Sequence, residues 1–390
     1  MSAVQKDGTV GEREAMDLLA EAVAVKSESE LGIFEGAIVE LYAKKMRELG
    51  MEVEVFEQVK DRPNLVGRLR GTGGGKSLMF NSHIMVPSSR YEDWKTDPYV
   101  PTVIDGKIYG MGVSDTKAGI VAMLFAAREI ARRRPKGDMI IALGAGGEGG
   151  GFIGTKAIVD RGIRADAVVV CEPTELNVVY VQYGAIWFEF TIRGKAGLTG
   201  AGVNAVHKGL PLAQAIVDFN KTINSRTHPL LPPSRVSVNY FQGGGGQTYN
   251  VPDRCTLRAD RRIIPGETIE SAKAEMEALL KDARARDPEL EVATDILLEL
   301  PAIEVDRNAL IVREATAAIT EVRGAAPELR GIRGFTEMAH VVPSGMEAIV
   351  CGPASTAVIH APNEHVTVSD FMDSIRVYTN LTRRITEMPK

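Results

Sequence analysis

TKAGIVAMLFAAREIARR, residues 116–133, is followed at 139–147 by MIIALGAGG. The first run is too long for a strand and is apolar at helical spacing. The second is a short continuous apolar run closed by glycines, which reads as a strand buried on both faces. Upstream, KSLMFNSH (76–83) has the same strand texture, and downstream so has AVVVC (167–171). Strand and helix in alternation predict an α/β domain with a largely parallel sheet. Each of these elements borders a residue that can bind a metal: His83 closes the first strand, Asp115 precedes the helix, Glu148 follows MIIALGAGG and Glu172 follows AVVVC. His360 comes after a further apolar run, EAIVCGPASTAVI (347–359). In an open α/β sheet the carboxyl ends of the strands meet at one crevice, so residues far apart in sequence can share a site there. Imidazoles and carboxylates in this combination suit zinc, manganese or a similar divalent ion.

A chain of 390 residues with 44% apolar and 25% charged content exceeds one ordinary domain and has the composition of a soluble globular protein. The net charge of −5, without any Lys/Arg block, argues against nucleic acid as the main partner. The opening residues MSAVQKDGTVGEREAMDLL lack the apolar core of a signal peptide, and no apolar stretch is long enough to span a bilayer. Cys171, Cys255 and Cys351 are odd in number and unpaired in spacing, which fits reduced thiols in a cytoplasm.

Two amphipathic helices, GEREAMDLLAEAVAVKS (11–27) and IFEGAIVELYAKKMRELG (33–50), lead into the first strands. Beyond Pro173 the texture changes. AIWFEFTIRG (185–194), RVSVNYFQGGGG (235–246) and CTLRADRRI (255–263) read as strands, VNAVHKGLPLAQAIVDFNKTI (203–223) and IESAKAEMEALLKDAR (269–284) as helices. Strand-plus-helix pairs at this spacing predict a small α+β, ferredoxin-like domain inserted into the first. The expected boundaries are 1–177 with 297–390 for the α/β domain and 178–296 for the insertion. The glycines at 243–246 lack a following Gly-Lys-Ser/Thr, so a hairpin or hinge is expected there, not a phosphate loop.

Ordered along the chain are His83-Ile84-Met85-Val86-Pro87, Trp94 with Asp97-Pro98, Asp105-Gly106-Lys107, Asp115-x-Lys117, Glu148 with the glycines after it and Cys171-Glu172-Pro173-Thr174. Gly194-Lys195-Ala196-Gly197, Asn204-Ala205, Asn250-Val251-Pro252, Asp260-x-Arg262 and His360-Ala361-Pro362-Asn363-Glu364 follow. Together they resemble the metallo-amidohydrolases that include acetylornithine deacetylase, succinyl-diaminopimelate desuccinylase and glutamate carboxypeptidase, over about 30 to 385. The resemblance implies an α/β catalytic domain, a lid domain that often forms a homodimer, and one or two divalent ions, zinc first, with manganese or cobalt as alternatives. Asp115 would bridge the ions, His83 and Glu172 would complete one, and Glu148 and His360 the other. Arg262 would clamp a substrate carboxylate, the alternative being a strand salt bridge with Asp260 or Glu267. Asn250 would lie beside the reacting group. His207, His228 and His365 are expected outside the site, with His340 kept as a second-rank candidate.

The departures from the family pattern bear on chemistry. Met85 stands where the family has an aspartate that orients the first histidine, so the ion completed by His83 should be held less tightly. Gly147 stands where it has the general base, Leu198 where it has a lid histidine that polarises the scissile carbonyl, and Met111 where many relatives have arginine. Met85, Met111 and Leu198 should therefore make a less polar substrate pocket. Glu337, in Thr336-Glu337, is the candidate substitute base, against a purely structural role. Three readings follow. One is hydrolysis of a C–N bond in a small carboxylate-bearing substrate. Another is deamination of an electron-poor aromatic amine, or another metal-assisted reaction such as isomerisation. The last is a metal-dependent binding protein without turnover.

Overall fold

The computed structural model describes residues 10–28, 34–87, 93–147, 149, 151–244 and 246–390. Its larger unit comprises residues 1–180, 305–330 and 336–390. At its centre four parallel strands lie side by side in the order Met139–Gly144, Leu78–His83, Ala167–Val170, Glu347–Val350. All residues of the first three are buried, as expected for parallel strands covered on both faces. Antiparallel strands flank this centre: Glu52–Val59 and Arg62–Leu69 beyond Met139–Gly144, and Val178–Gln182 beyond Glu347–Val350. The fold is thus the expected α/β sheet, parallel in the middle and antiparallel at its edges.

Register places the site. His83 pairs with Gly144, Asn81 with Val170, and Val350 with Val170, so the parallel strands end at one level. The helix Ala118–Ala131 is buried along almost its whole length, because it packs against the C-terminal helix Val368–Thr386 and the N-terminal helix Val10–Ala24. Its start is pressed against the strand ends. A Cβ at Gly119 would lie 2.1 Å from Cys171 Sγ, so only glycine lets the helix approach there. This close approach sets Asp115, just before the helix, beside Glu172, just after Cys171.

The smaller unit comprises residues 181–304 and 331–335. Its four antiparallel strands lie in the order Arg235–Gly243, Arg254–Ile263, Gly184–Arg193, Glu291–Leu300. With the helices Ala205–Ile223 and Ile269–Arg286, the chain order is βαββαβ, the ferredoxin-like arrangement. Buried and open positions alternate along Arg254–Ile263, and Ile186, Phe188, Leu257, Leu212, Ile216, Met276 and Leu280 make the core. Asn204 caps the first helix through the Val206 and His207 N–H groups, and Thr268 with Ser271 makes a capping box on the second. The unit runs past the expected end at 296. Glu291–Leu300 pairs along its length with Gly184–Arg193, so a break at 296 would cut a strand in two. Residues 331–335 return to the same unit from the α/β domain.

The tight fit at Gly119 yields the first test. Gly119→Ala should lower the unfolding free energy by about 1–3 kcal/mol, the usual cost of an overpacked core. Adding Cys171→Ala should recover most of it, because the next nearest atom, Cys171 Cβ, is 3.7 Å away. Urea unfolding of the two singles and the double gives the coupling; additive losses would show that the contact does not set the spacing.

Candidate metal centre

His83, Asp115 and Glu172 come together as fully or almost fully buried side chains, with ligand atoms within 4.8 Å of one another. His83 Nε2 lies 3.0 Å from Asp115 Oδ1 and 3.2 Å from Glu172 Oε1. The far ring nitrogen fixes the tautomer: His83 Nδ1 is 2.9 Å from the Met85 carbonyl, which can only accept, so Nδ1 carries the hydrogen. In the neutral ring Nε2 is then a lone pair facing two carboxylate oxygens. None of these three atoms has a hydrogen-bond partner among the described residues. Three acceptors converging in a buried space are stable only around a proton or a cation. An imidazole nitrogen and two carboxylate oxygens suit a divalent ion, and the residues fit one.

The electrostatics agree. Burial works against a charged His83, yet Asp115 and Glu172 hold its pKa well above the ordinary range. Burial would raise Asp115, but His83 and His360 hold it well below the usual carboxylate range. Glu172 moves the other way: burial raises it, His83 opposes that, and the Asp115 and Glu337 carboxylates raise it further. Two carboxylates cannot both ionise comfortably here without added positive charge.

The second oxygen of Asp115 faces His360, with Oδ2 2.9 Å from His360 Nε2. Asp115 therefore lies between the two histidines, one on each oxygen. Glu148, expected beside His360, lies outside the described residues. His340 is not in this group; its Nε2 meets the Gly151 carbonyl at 2.7 Å. His365 bonds the Asn363 carbonyl through Nδ1, and His228 is on the smaller unit near Glu304.

The ring of His83 is not left without an orienting partner by Met85, as the sequence suggested. The backbone carbonyl of that same residue accepts the Nδ1 hydrogen and orients the ring. The Met85 side chain has a different place. A Cβ at Gly147 would come 2.7 Å from Met85 Cε and 3.8 Å from His83 Nδ1. Position 147 thus points toward the histidine, and the methionine fills the volume beside it. Met111 is buried, its N–H bound to the Pro98 carbonyl at 2.7 Å.

Several positioning groups were not singled out from the sequence. Glu364 is a buried carboxylate that accepts from three backbone N–H groups, Gly112 at 3.2 Å, Ser114 at 2.7 Å and Asp115 at 3.0 Å. It pins the turn that presents Asp115. Thr116 Oγ1 and Ser82 Oγ lie 2.7 Å apart and 3.1 and 2.9 Å from the His83 carbonyl, so one hydroxyl donates to the carbonyl and the other to its neighbouring hydroxyl. Glu35, also buried, accepts the Gly146 N–H at 2.9 Å and the Arg62 Nε at 2.7 Å. The one available signal was Glu364, four residues after His360 in the motif already noted. Glu337 is fully buried at the start of the short helix Met338–Val341, near enough to Glu172 to raise its pKa.

On the smaller unit, Leu198 and Asn250 are register partners in a two-stranded ladder, and Leu198 is 64% exposed. Arg262 is bound bidentate by Asp260, through Nε at 2.9 Å and Nη2 at 2.8 Å. The fork expected to face a substrate carboxylate is taken by Asp260; the strand salt bridge is the arrangement seen.

Glu364→Ala would strip three buried N–H groups of their acceptor. We expect zinc affinity to fall by about 10- to 100-fold, and stability by about 2–4 kcal/mol. Glu364→Gln, which keeps an acceptor oxygen, should lose less of both. Competition with a chromophoric chelator measures the first and urea unfolding the second; unchanged zinc affinity in the alanine variant would show that the turn holds Asp115 unaided.

The family model for peptidase family M20/M25/M40 matches residues 79–384. A succinyl-diaminopimelate desuccinylase of Delftia acidovorans is 27% identical over 365 residues, covering 88% of this chain and 92% of that protein. Another from Thioalkalivibrio sulfidiphilus is 27% identical over 361 residues, covering 89% and 93%. A metallo-carboxypeptidase of Sulfolobus solfataricus shares the fold with a TM-score of 0.80 at 18% identity, over 95% of this chain and 98% of that one. A dinuclear metal-binding peptidase of Bacillus subtilis does so with a TM-score of 0.73 at 12% identity, over 97% and 99%. With a buried His83–Asp115–Glu172 group that could hold a metal ion at the strand ends of its sheet, the chain belongs to peptidase family M20/M25/M40.

Proposed function

We propose that the chain hydrolyses a C–N bond in a small carboxylate-bearing substrate, holding one or two divalent ions, zinc first, with manganese or cobalt as substitutes. The observation that carries this reading is His83, with Nδ1 turned to the Met85 carbonyl and Nε2 set against two buried carboxylate oxygens. His83, Asp115 and Glu172 would hold one ion, and Asp115, His360 and Glu148 the other. A divalent ion in this position supplies Lewis-acid polarisation and acidifies water. The chain's own residues do the remainder. The Met85 carbonyl keeps the ring of His83 in one tautomer, Glu364 holds the Asp115 turn, and Asn250 is assigned to the reacting group. Glu337 is assigned the proton transfer that a residue at 147 would otherwise perform. The names of the desuccinylase relatives favour an N-acyl substrate with a free carboxylate. A homodimer through the inserted domain and a cytoplasmic setting belong to the same proposal; no helix of the described residues is long and apolar enough to cross a membrane.

A second reading is favoured by one observation, the Met85 methyl filling the space at 147. A pocket without a base in that place suits an activated leaving group, as in deamination of an electron-poor aromatic amine.

Three experiments test these readings. Gly147→Glu alone should gain little, because its Cβ meets Met85 Cε; with Met85→Asp as well, hydrolysis of N-acetyl and N-succinyl amino acids should rise at least about tenfold over the native chain. Equal activity in the single and double variants would refute the volume argument. In the native chain, Glu337→Gln should lower kcat by about 10²- to 10⁴-fold with metal content unchanged. If kcat stays within a factor of about two, Glu337 is structural and the proton goes elsewhere. Chelator-treated protein should lose turnover and regain it with added zinc, manganese or cobalt; a chain that takes up none of them is not a metallohydrolase.

A further inference from the structure

The helices Val10–Ala24, Gly36–Glu48 and Ala118–Ala131 border a groove of about 410 Å³ on the larger unit, a volume within the range of small-molecule sites. Its floor is apolar: Leu18, Leu124 and Phe125 are buried and Leu49 is half-buried. Its rim is charged. Glu14, Asp17 and Glu21 recur along the first helix at spacings of three and four, so one stripe of that helix brings three carboxylates to the groove beside Leu18. Glu48 reaches it from the last position of the second helix. A carboxylate there adds to the negative end of the helix dipole, and the local field favours a cation.

Two of these four acids are already matched. Arg128 lies over the Phe125 ring at 4.3 Å and pairs with Glu14, and Lys45 pairs with Glu21 at 3.2 Å. Asp17 on the first helix and Glu48 on the second have no ion pair among the described residues. The groove therefore carries two negative charges in excess, on different walls, above an apolar floor. A bare metal ion would answer the charges and leave the floor wet. An uncharged chain would cover the floor and leave the charges unanswered. An organic dication does both, with an ammonium at each carboxylate and methylenes against the floor.

We infer that this groove binds an α,ω-diamine or a longer polyamine, one ammonium at Asp17 and another at Glu48, with the chain between them lying on Leu18, Leu49 and Phe125. The groove shares no residue with the His83–Asp115–Glu172 group, so its occupation is independent of the hydrolase reading.

Calorimetric titration of the full chain with 1,6-diaminohexane and with hexylamine tests it. The diamine should bind about fivefold more tightly than hexylamine, the difference made by one exposed charge pair. Asp17→Asn and Glu48→Gln should each bring the diamine down to the affinity of hexylamine. Both side chains are exposed, so neither replacement disturbs the core. Leu49→Ser, on the floor, should weaken the diamine at least about twofold. Glu40→Gln removes the same charge from an exposed position of the second helix outside the groove, and should leave binding unchanged. Diamine binding no tighter than that of hexylamine overturns the site. So does a loss in Glu40→Gln equal to that in Asp17→Asn, which would mark general charge attraction, and so does binding indifferent to Leu49→Ser, which would leave only scattered surface acids.

Discussion

The imidazole of His83 has one nitrogen committed to the Met85 carbonyl and the other aimed at two carboxylate oxygens, all away from solvent. Such a cluster cannot exist as a neutral ring between two anions without a positive charge at its centre. The surrounding structure bears that demand. The parallel strands end in register so that His83 and Glu172 arrive at one level, and Gly119 lets the following helix bring Asp115 against them. Glu364 then fixes the Asp115 turn with three N–H bonds instead of solvent. A site assembled this way is rigid because each ligand is held by backbone, whose positions the sheet dictates.

Gly147 and Met85 share one volume beside the ring. Gly147 vacates a volume, and Met85 supplies a flexible apolar side chain whose end occupies it. The Met85 side chain offers Nδ1 no acceptor, but the carbonyl at 85 accepts its hydrogen at 2.9 Å. A neutral carbonyl is a weaker acceptor than a carboxylate, so the ring is held without the added negative charge that would make it more basic.

The α/β class, the inserted domain and the convergence of His83, Asp115 and Glu172 were legible because each depends on local pattern: buried runs, helical spacing, and polar residues at strand ends. The partners that hold these residues were not. Glu364 meets the Asp115 N–H across 249 positions, and Glu35 meets Gly146 across 111. A carboxylate chosen to satisfy a remote backbone donor leaves no periodic trace. The competition between Asp260 and a substrate for Arg262 was equally invisible, since both readings use the same residues in the same order. The inserted domain's end was misplaced because EVATDILLEL, residues 291–300, is an edge strand with open positions on both faces and so lacks a clean alternation.

Val25, Ser27 and Glu35, in the stretch that precedes the helix Gly36–Glu48, brace the segments that carry His83, Asp115 and Gly146. Ser27 accepts the Val86 N–H at 3.2 Å through its carbonyl and donates its hydroxyl to the Ile84 carbonyl at 3.4 Å, bracketing Met85. The Val25 carbonyl accepts from the buried Lys117 ammonium at 2.9 Å, two residues past Asp115. Burial lowers the Lys117 pKa to about 8 even with Glu28 and Glu364 opposing it, so that ammonium needs the acceptor. Glu35, at the far side of the same stretch, holds Gly146, next to Gly147. Changes in this stretch would reach the metal centre through backbone geometry alone, by shifting the Met85 carbonyl that sets the His83 tautomer. The identity of the ligands would be untouched while their chemistry changed.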